Sequence, residues 1–115
     1  MKGLEMEFNT AFGFVPIDKR RTVSKPRKSG ITMVSDYQLG LASLSDLIEV
    51  AGHYIDLFKI ATGTSRLFEK THLQAKIEML RANDIRPFLG GQFQEYVLHT
   101  MGVDAMPRHL SEAQA

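Results

Sequence analysis

Gly30-Ile31-Thr32-Met33-Val34-Ser35-Asp36 is a near-continuous apolar run between a glycine and a polar cluster, the pattern of a strand buried on both faces. The period then changes. Leu41, Leu44, Leu47, Ile48 and Ala51 recur at helical spacing, with Ser43 and Asp46 placed as a capping pair and Gly52 as a natural stop. The cycle returns at Tyr54-Ile55-Asp56-Leu57-Phe58-Lys59-Ile60, a second strand closed by the polar turn Thr62-Gly63-Thr64-Ser65. A helix follows from about Thr71: Thr71 and Gln74 resemble a capping box, Leu73, Ile77 and Leu80 form the apolar stripe, and Asn83 can end it in the left-handed conformation. Ile85-Arg86-Pro87-Phe88-Leu89 reads as a third strand ending in Gly90-Gly91, with Pro87 removing one ladder donor. Phe93, Val97 and Met101 then mark a third helix stopped by Gly102.

Strand, polar turn and helix, repeated roughly every twenty-five residues, predict a parallel α/β fold of about three βα units. The expected fold class is the N-terminal portion of a (β/α)8 TIM-type barrel, which three strands alone cannot close. Asp104 to Ala115 begin another helix, with Pro107 suited to its first turn and Leu110 and Ala113 on one face. Residues 30–115 are therefore expected to be a partial barrel domain, truncated before the fourth strand. Residues 1–29 show no sustained period and carry Lys19-Arg20-Arg21 and Lys25-Pro26-Arg27-Lys28, which predicts a solvated, mobile basic arm.

At 115 residues, 43% hydrophobic and 23% charged, the chain can bury a core and lacks the composition of a disordered one. A formal net charge of +1 implies no global field that would draw nucleic acid, a membrane surface or an acidic partner. The basic arm has neither interleaved aromatic residues nor a reading helix, so nucleic acid is not an expected partner. The absence of cysteine removes disulfides, zinc-thiolate sites and cysteine nucleophiles. The acidic N-terminus is unlike a signal peptide, and no apolar run is long enough to span a bilayer, so a cytoplasmic location is expected.

In parallel α/β folds ligands bind at the carboxyl ends of the strands, where helix N-termini present unpaired N–H groups. That rule selects Asp36 with Tyr37 and Gln38, then Lys59 with Gly63, Thr64 and Ser65, then Gly90, Gly91, Gln92 and, a helical turn later, Glu95. An ammonium near the end of a buried strand is expensive unless it meets an anion. Lys59 is thus either a ligand for a substrate anion or a proton donor, or a lysine whose tip snorkels to solvent; Ile55 and Leu57 are expected on its face. Asp36 is its natural countercharge or a metal ligand, or a carboxylate that caps a helix. The Gly63-Thr64-Ser65 and Gly90-Gly91 turns suit phosphate or carboxylate oxygens, or simply fold the chain back; neither matches a known phosphate-loop fingerprint. His53, His72, His99 and His109 are expected at the surface, with no zinc spacing and no triad.

Several blocks in order, Lys25-Pro26-Arg27-Lys28-Ser29-Gly30-Ile31-Thr32-Met33-Val34, Asp36, Val50-Ala51-Gly52-His53-Tyr54-Ile55-Asp56, Lys59 and Gly63-Thr64-Ser65, resemble the N-terminal part of the phosphosulfolactate synthase family. The resemblance implies a (β/α) barrel enzyme: a magnesium-dependent lyase that adds sulfite to phosphoenolpyruvate, giving phosphosulfolactate for coenzyme M biosynthesis. Asp36 and Lys59 fall on matching positions and are carried over as catalytic, and Gly63, Thr64, Ser65, Gly90, Gly91 and Glu95 as substrate-binding residues. The magnesium ligands are not identified. Departures occur at Tyr37 and Gln38, where the family commonly has lysine and glycine, at Ala61-Thr62, where it has an aromatic-glycine pair, and at Leu89 and Gln92, where it has proline and threonine. The family is also related to plant heat-stress-associated proteins, which makes a non-catalytic relative with a stress-related or protein-interaction role, or an inactive fragment, the alternative. Expected partners are small anionic substrates and either further copies of the chain or a missing C-terminal half, since three strands leave an open edge and an uncovered face.

Overall fold

The computed structural model describes residues 10–22, 24–61 and 63–114. The acidic N-terminus, Thr62 of the second turn and Ala115 lie outside these residues. The elements alternate as expected: β1 (Met33–Asp36), α1 (Leu41–Ala51), β2 (Leu57–Ile60), α2 (Lys70–Ala82), β3 (Arg86–Leu89), α3 (Gly91–Met101) and α4 (Met106–Gln114). Short 3-10 turns follow α1, β2 and α3. The strands form one parallel sheet in the order β1-β2-β3, with Asp36, Ile60 and Leu89 in register at its carboxyl end. This is a mixed α/β architecture of three βα units.

One face of the sheet is covered. Phe58 and Ile60 meet Leu44 of α1, Leu80 of α2 and the flanking Ile55 and Ile85 in a core with almost no solvent exposure. Burying each such side chain contributes about 1.5–3 kcal/mol, which explains why the apolar stripes of α1 and α2 turn toward this face. The other face carries Met33, Lys59 and Phe88, and Met33 and Phe88 remain 51% and 39% exposed. Nothing among the described residues covers it.

Several element ends differ from the sequence expectation. Helix α1 starts at Gly40-Leu41, and Ser43 and Asp46 lie inside it rather than capping it. The turn before α1 is closed instead by Asp36, whose Oδ1 accepts the amides of Gln38 and Leu39 at 3.0 and 2.8 Å. Strand β2 begins at Leu57, because Gly52–Tyr54 continue as a 3-10 turn in which Ile55 N–H bonds to Gly52 O. Helix α2 starts at Lys70 with no side-chain cap, so Thr71 and Gln74 do not act as a capping box. At its other end the left-handed residue is Asp84 (φ 57°), one position beyond Asn83. The bonds Ile85 N to Leu80 O and Asp84 N to Arg81 O close a Schellman motif, with Leu80 and Ile85 both in the core. Pro87 is accommodated because Arg86 and Gly90 donate to β2, at Asp56 O and Ile60 O. By alternation residue 87 faces the free edge, where no donor is required.

The arm is not solvated throughout. Lys25 Nζ donates to the carbonyls of Gly52 and Ile55 at 2.8 and 2.5 Å and to those of Asn83 and Asp84 at 3.3 Å. Arg27, 6% exposed, bonds Asp56 Oδ1 at 2.6 Å, Thr22 O at 3.0 Å and His53 O. The other Asp56 oxygen accepts the Thr32 amide at 2.9 Å. These two cations neutralise carbonyls and a carboxylate gathered at the amino end of the strands, so ordering them replaces the solvation they would otherwise keep.

Burial is the largest single influence on the Asp56 carboxyl and pushes its pKa up. The Thr32 amide, the Arg27 hydrogen bond and the charges of Arg27 and Lys25 together outweigh it and hold the group below its ordinary 3.8. A depressed carboxyl pKa contributes stability that is complete above the unfolded value and is lost as pH falls through the folded one. Urea midpoints measured from pH 5 downward should therefore decline below about pH 4, and Asp56→Asn should start lower and show a flatter acid limb.

Candidate functional site

The three strands end at one rim. Asp36 O accepts the Ala61 amide at 2.8 Å and Ile60 O accepts the Gly90 amide at 3.1 Å, so the ladder continues past the strand ends and levels the loops that follow. Asp36, Lys59, the Gly63–Ser65 turn and Gly90-Gly91 thus lie at the same end of the sheet.

They do not share a face. Asp36 is in register with Ile60, which belongs to the helix-covered core, whereas Lys59 stands level with Ser35 and Phe88 on the open side. Asp36 is accordingly not the countercharge of Lys59. Its carboxylate is fully buried and forms an ion pair with Lys76 of α2, itself completely buried. Lys76 Nζ also donates to Leu39 O at 2.7 Å and lies 5.2 and 6.0 Å from the ring centroids of Phe68 and Phe58. Breaking such a pair by removing one member is costly, because the other charge stays desolvated. The sequence carried a signal for Lys76: positions 73, 76, 77 and 80 follow the i, i+3, i+4, i+7 pattern, so the lysine falls within the apolar stripe.

Lys59 is half-buried and makes neither an ion pair nor a hydrogen bond with any described residue. Leu57 shares its face as expected; Ile55, which precedes the strand, lies in the core on the other side. Gly63 adopts a left-handed φ of 74°, and a Cβ there would meet the Phe93 ring at 3.2 Å. Glycine at this position therefore lets α3 close against the second turn. Thr64 Oγ1 donates to Ala61 O at 2.9 Å, tightening the turn, while Ser65 beside it is half-buried. Gly90 spends its amide on Ile60, and Gly91 opens α3, where first-turn amides lack intrahelical partners. Glu95 is exposed on α3. His53 and His99 are exposed; His72 and His109 are half-buried, edge-on to Phe68 and Phe93.

A family profile described as (2R)-phospho-3-sulfolactate synthase (ComA) matches residues 20–114. The chain belongs to the phosphosulfolactate synthase family. It is 42% identical over 71 residues to a phosphosulfolactate synthase of Methanothermobacter thermautotrophicus, covering 62% of this chain and 28% of the relative. The corresponding enzyme of Bacillus subtilis is 39% identical over 75 residues, covering 64% and 29%, and that of Methanocaldococcus jannaschii 33% over 67 residues, covering 58% and 27%. The matched part is thus under a third of the length of these phosphosulfolactate synthases. Within the family match lie the arm residues Lys25 and Arg27, the buried Asp36–Lys76 pair and Lys59 alike.

Among the described residues no three His, Asp or Glu side chains gather as a metal site, and both oxygens of Asp36 are engaged, one by two amides and one by Lys76. No helix among the described residues is long and apolar enough to cross a membrane.

Lys76→Met should destabilise the chain by about 3–5 kcal/mol, as expected for a charge left buried without its partner. Adding Asp36→Leu should recover a large part of that loss in chemical denaturation. In the double variant the amide of Leu39 should exchange with solvent faster, because the carboxylate that holds the turn is gone.

Proposed function

We propose that this chain provides the first three βα units of a (β/α) barrel lyase that adds sulfite to phosphoenolpyruvate, forming phosphosulfolactate for coenzyme M biosynthesis in the cytoplasm. The supporting observation is Lys59: a half-buried ammonium without an acidic partner, at the carboxyl end of the central strand and on the face that the α/β core leaves open. In a closed barrel that face becomes the lumen, and the strand ends become the mouth of the active site.

The chemistry suits a lone cation. The sulfite sulfur attacks the methylene carbon of phosphoenolpyruvate, a carbon–sulfur bond forms, and the π electrons move to the adjacent carbon and into the carboxylate. A proton delivered to that adjacent carbon completes the addition. An ammonium in this position either stabilises the carboxylate as charge accumulates on it or supplies the proton, which water restores. The Gly63–Ser65 turn and the Gly91 end of α3 border the same mouth and are suited to phosphate or carboxylate oxygens. Asp36 contributes indirectly, by holding the first rim turn. The magnesium that the family resemblance implies would draw its ligands from residues beyond those described.

The barrel needs more strands than three. We propose that they come from further residues of the same polypeptide or from other copies packed on the open face, with Met33 and Phe88 covered in either case. Tyr37 and Gln38, exposed at the rim where the family commonly carries lysine and glycine, favour a second reading as a non-catalytic relative with a protein-interaction role.

The decisive assay is sulfite-dependent consumption of phosphoenolpyruvate with magnesium, using the chain continued by the C-terminal units of its Bacillus subtilis relative. Turnover is expected, and Lys59→Met should lower it by about 10²–10⁴-fold. Lys59→Arg separates the roles: recovery of KM without kcat assigns proton donation, recovery of both assigns anion binding. Absence of turnover with every sulfur nucleophile tried would establish the non-catalytic reading. In sedimentation velocity the 115-residue chain alone should self-associate with rising concentration, and Phe88→Lys should shift it toward monomer.

A further inference from the structure

A cavity lies at the amino end of the sheet, away from the candidate active-site rim. Its volume is about 180 Å³. It is bordered by the residues that lead into β1, Ser29, Gly30 and Thr32, by Tyr54 just ahead of β2, and by the arm arginines Arg20, Arg21 and Arg27.

The floor is rigid. Arg27 is held by Asp56, Thr22 O and His53 O, and Thr32 N–H is tied to the same carboxylate. Arg20 is paired with Asp18 at 2.7 Å on the exposed rim. Arg21 is different: its guanidinium stacks 4.5 Å above the Tyr54 ring and meets no carboxylate among the described residues. Stacking on an aromatic face pre-orients the planar fork of donors and leaves its edge free for bidentate bonds. Two of the three arginines are neutralised by Asp56 and Asp18, so the cavity keeps the positive charge of the third. Gly30, at a left-handed φ of 65° and with no heavy atom within 4 Å of a Cβ built there, leaves the wall beside it open.

We propose that this cavity is a binding site for a compact phosphate group, taken as inorganic phosphate or as the terminal group of a small phosphate monoester. The volume is below the roughly 300–1,000 Å³ of pockets that enclose drug-sized ligands, which restricts the enclosed part to a small oxyanion. A pre-oriented guanidinium with a free edge is the donor that recognises phosphate oxygens in pairs. Because the cavity is at the amino end of the strands, an anion bound there leaves the carboxyl-end rim accessible, and the site is separate from the candidate substrate site. It rests on the arm and on Tyr54, and is independent of the reaction proposed above.

The test is a titration of the ¹⁵N-labelled 115-residue chain with inorganic phosphate at constant ionic strength, and separately with glycerol phosphate as the monoester. Shifts at the Gly30 and Thr32 amides and the Arg21 side chain are expected, with an affinity that falls at least tenfold in Arg21→Ala and is unchanged in Lys59→Met. Tyr54→Leu, which removes the platform but no charge, should weaken binding severalfold while circular dichroism stays as in the parent chain. Equal responses to both ligands assign the phosphate group itself; a response to the monoester alone assigns the site to esters. Shifts confined to Gly63–Ser65 and Gly91 and abolished by Lys59→Met would overturn the inference while leaving the rim reading intact. No response to either ligand, in a chain that remains folded, would overturn it as well.

Discussion

A carboxylate at the end of β1 and an ammonium from the middle of α2 face each other where water does not reach. Both charges are committed locally: Asp36 takes the two amides that turn the chain toward α1, and Lys76 takes the carbonyl of Leu39 from the same turn. Neither group could be desolvated alone at tolerable cost. The position of the first rim loop therefore depends on the packing of the second helix, and α2 cannot shift along the sheet without uncovering a charge. Phe58 and Phe68 beside Lys76 strengthen the constraint, because their rings favour the cation while excluding solvent from it.

This pair also divides the labour between the two faces of the sheet. The strand alternation that places Asp36 on the core side places Lys59 on the other, next to Ser35 and Phe88. With Asp36 satisfied elsewhere, Lys59 keeps its charge available. The glycine turns at the same rim place small, close-lying backbone beside it.

Most of the architecture was legible from periodicity. The three apolar runs became the three strands and the stripes through Leu44, Leu73, Ile77 and Leu80 became the covering helices, because burial dominates the free energy and has a fixed period in each element. Ends were less legible. Asn83 is a better left-handed residue than Asp84 by propensity, yet the Schellman bonds are completed only if Ile85 reaches the core, and that requirement moves the special conformation by one residue. The partner of Asp36 is less legible for a related reason: the spacing that puts Lys76 on the buried face with Leu73, Ile77 and Leu80 does not record which carboxylate it meets there. The arm resisted reading because its order comes from carbonyls contributed by distant segments, and no local pattern records them.

Lys25 illustrates what that dependence means for the order of assembly. Its four acceptors lie in the segments that follow the first and second helices, 27 to 59 residues further along. They converge only after both helices have packed on the sheet, so the cradle for this side chain does not exist in any earlier species. The arm is then a latch that closes on a finished body. Its contacts would leave the rate at which the chain reaches the folded state nearly untouched and lengthen the time it stays there.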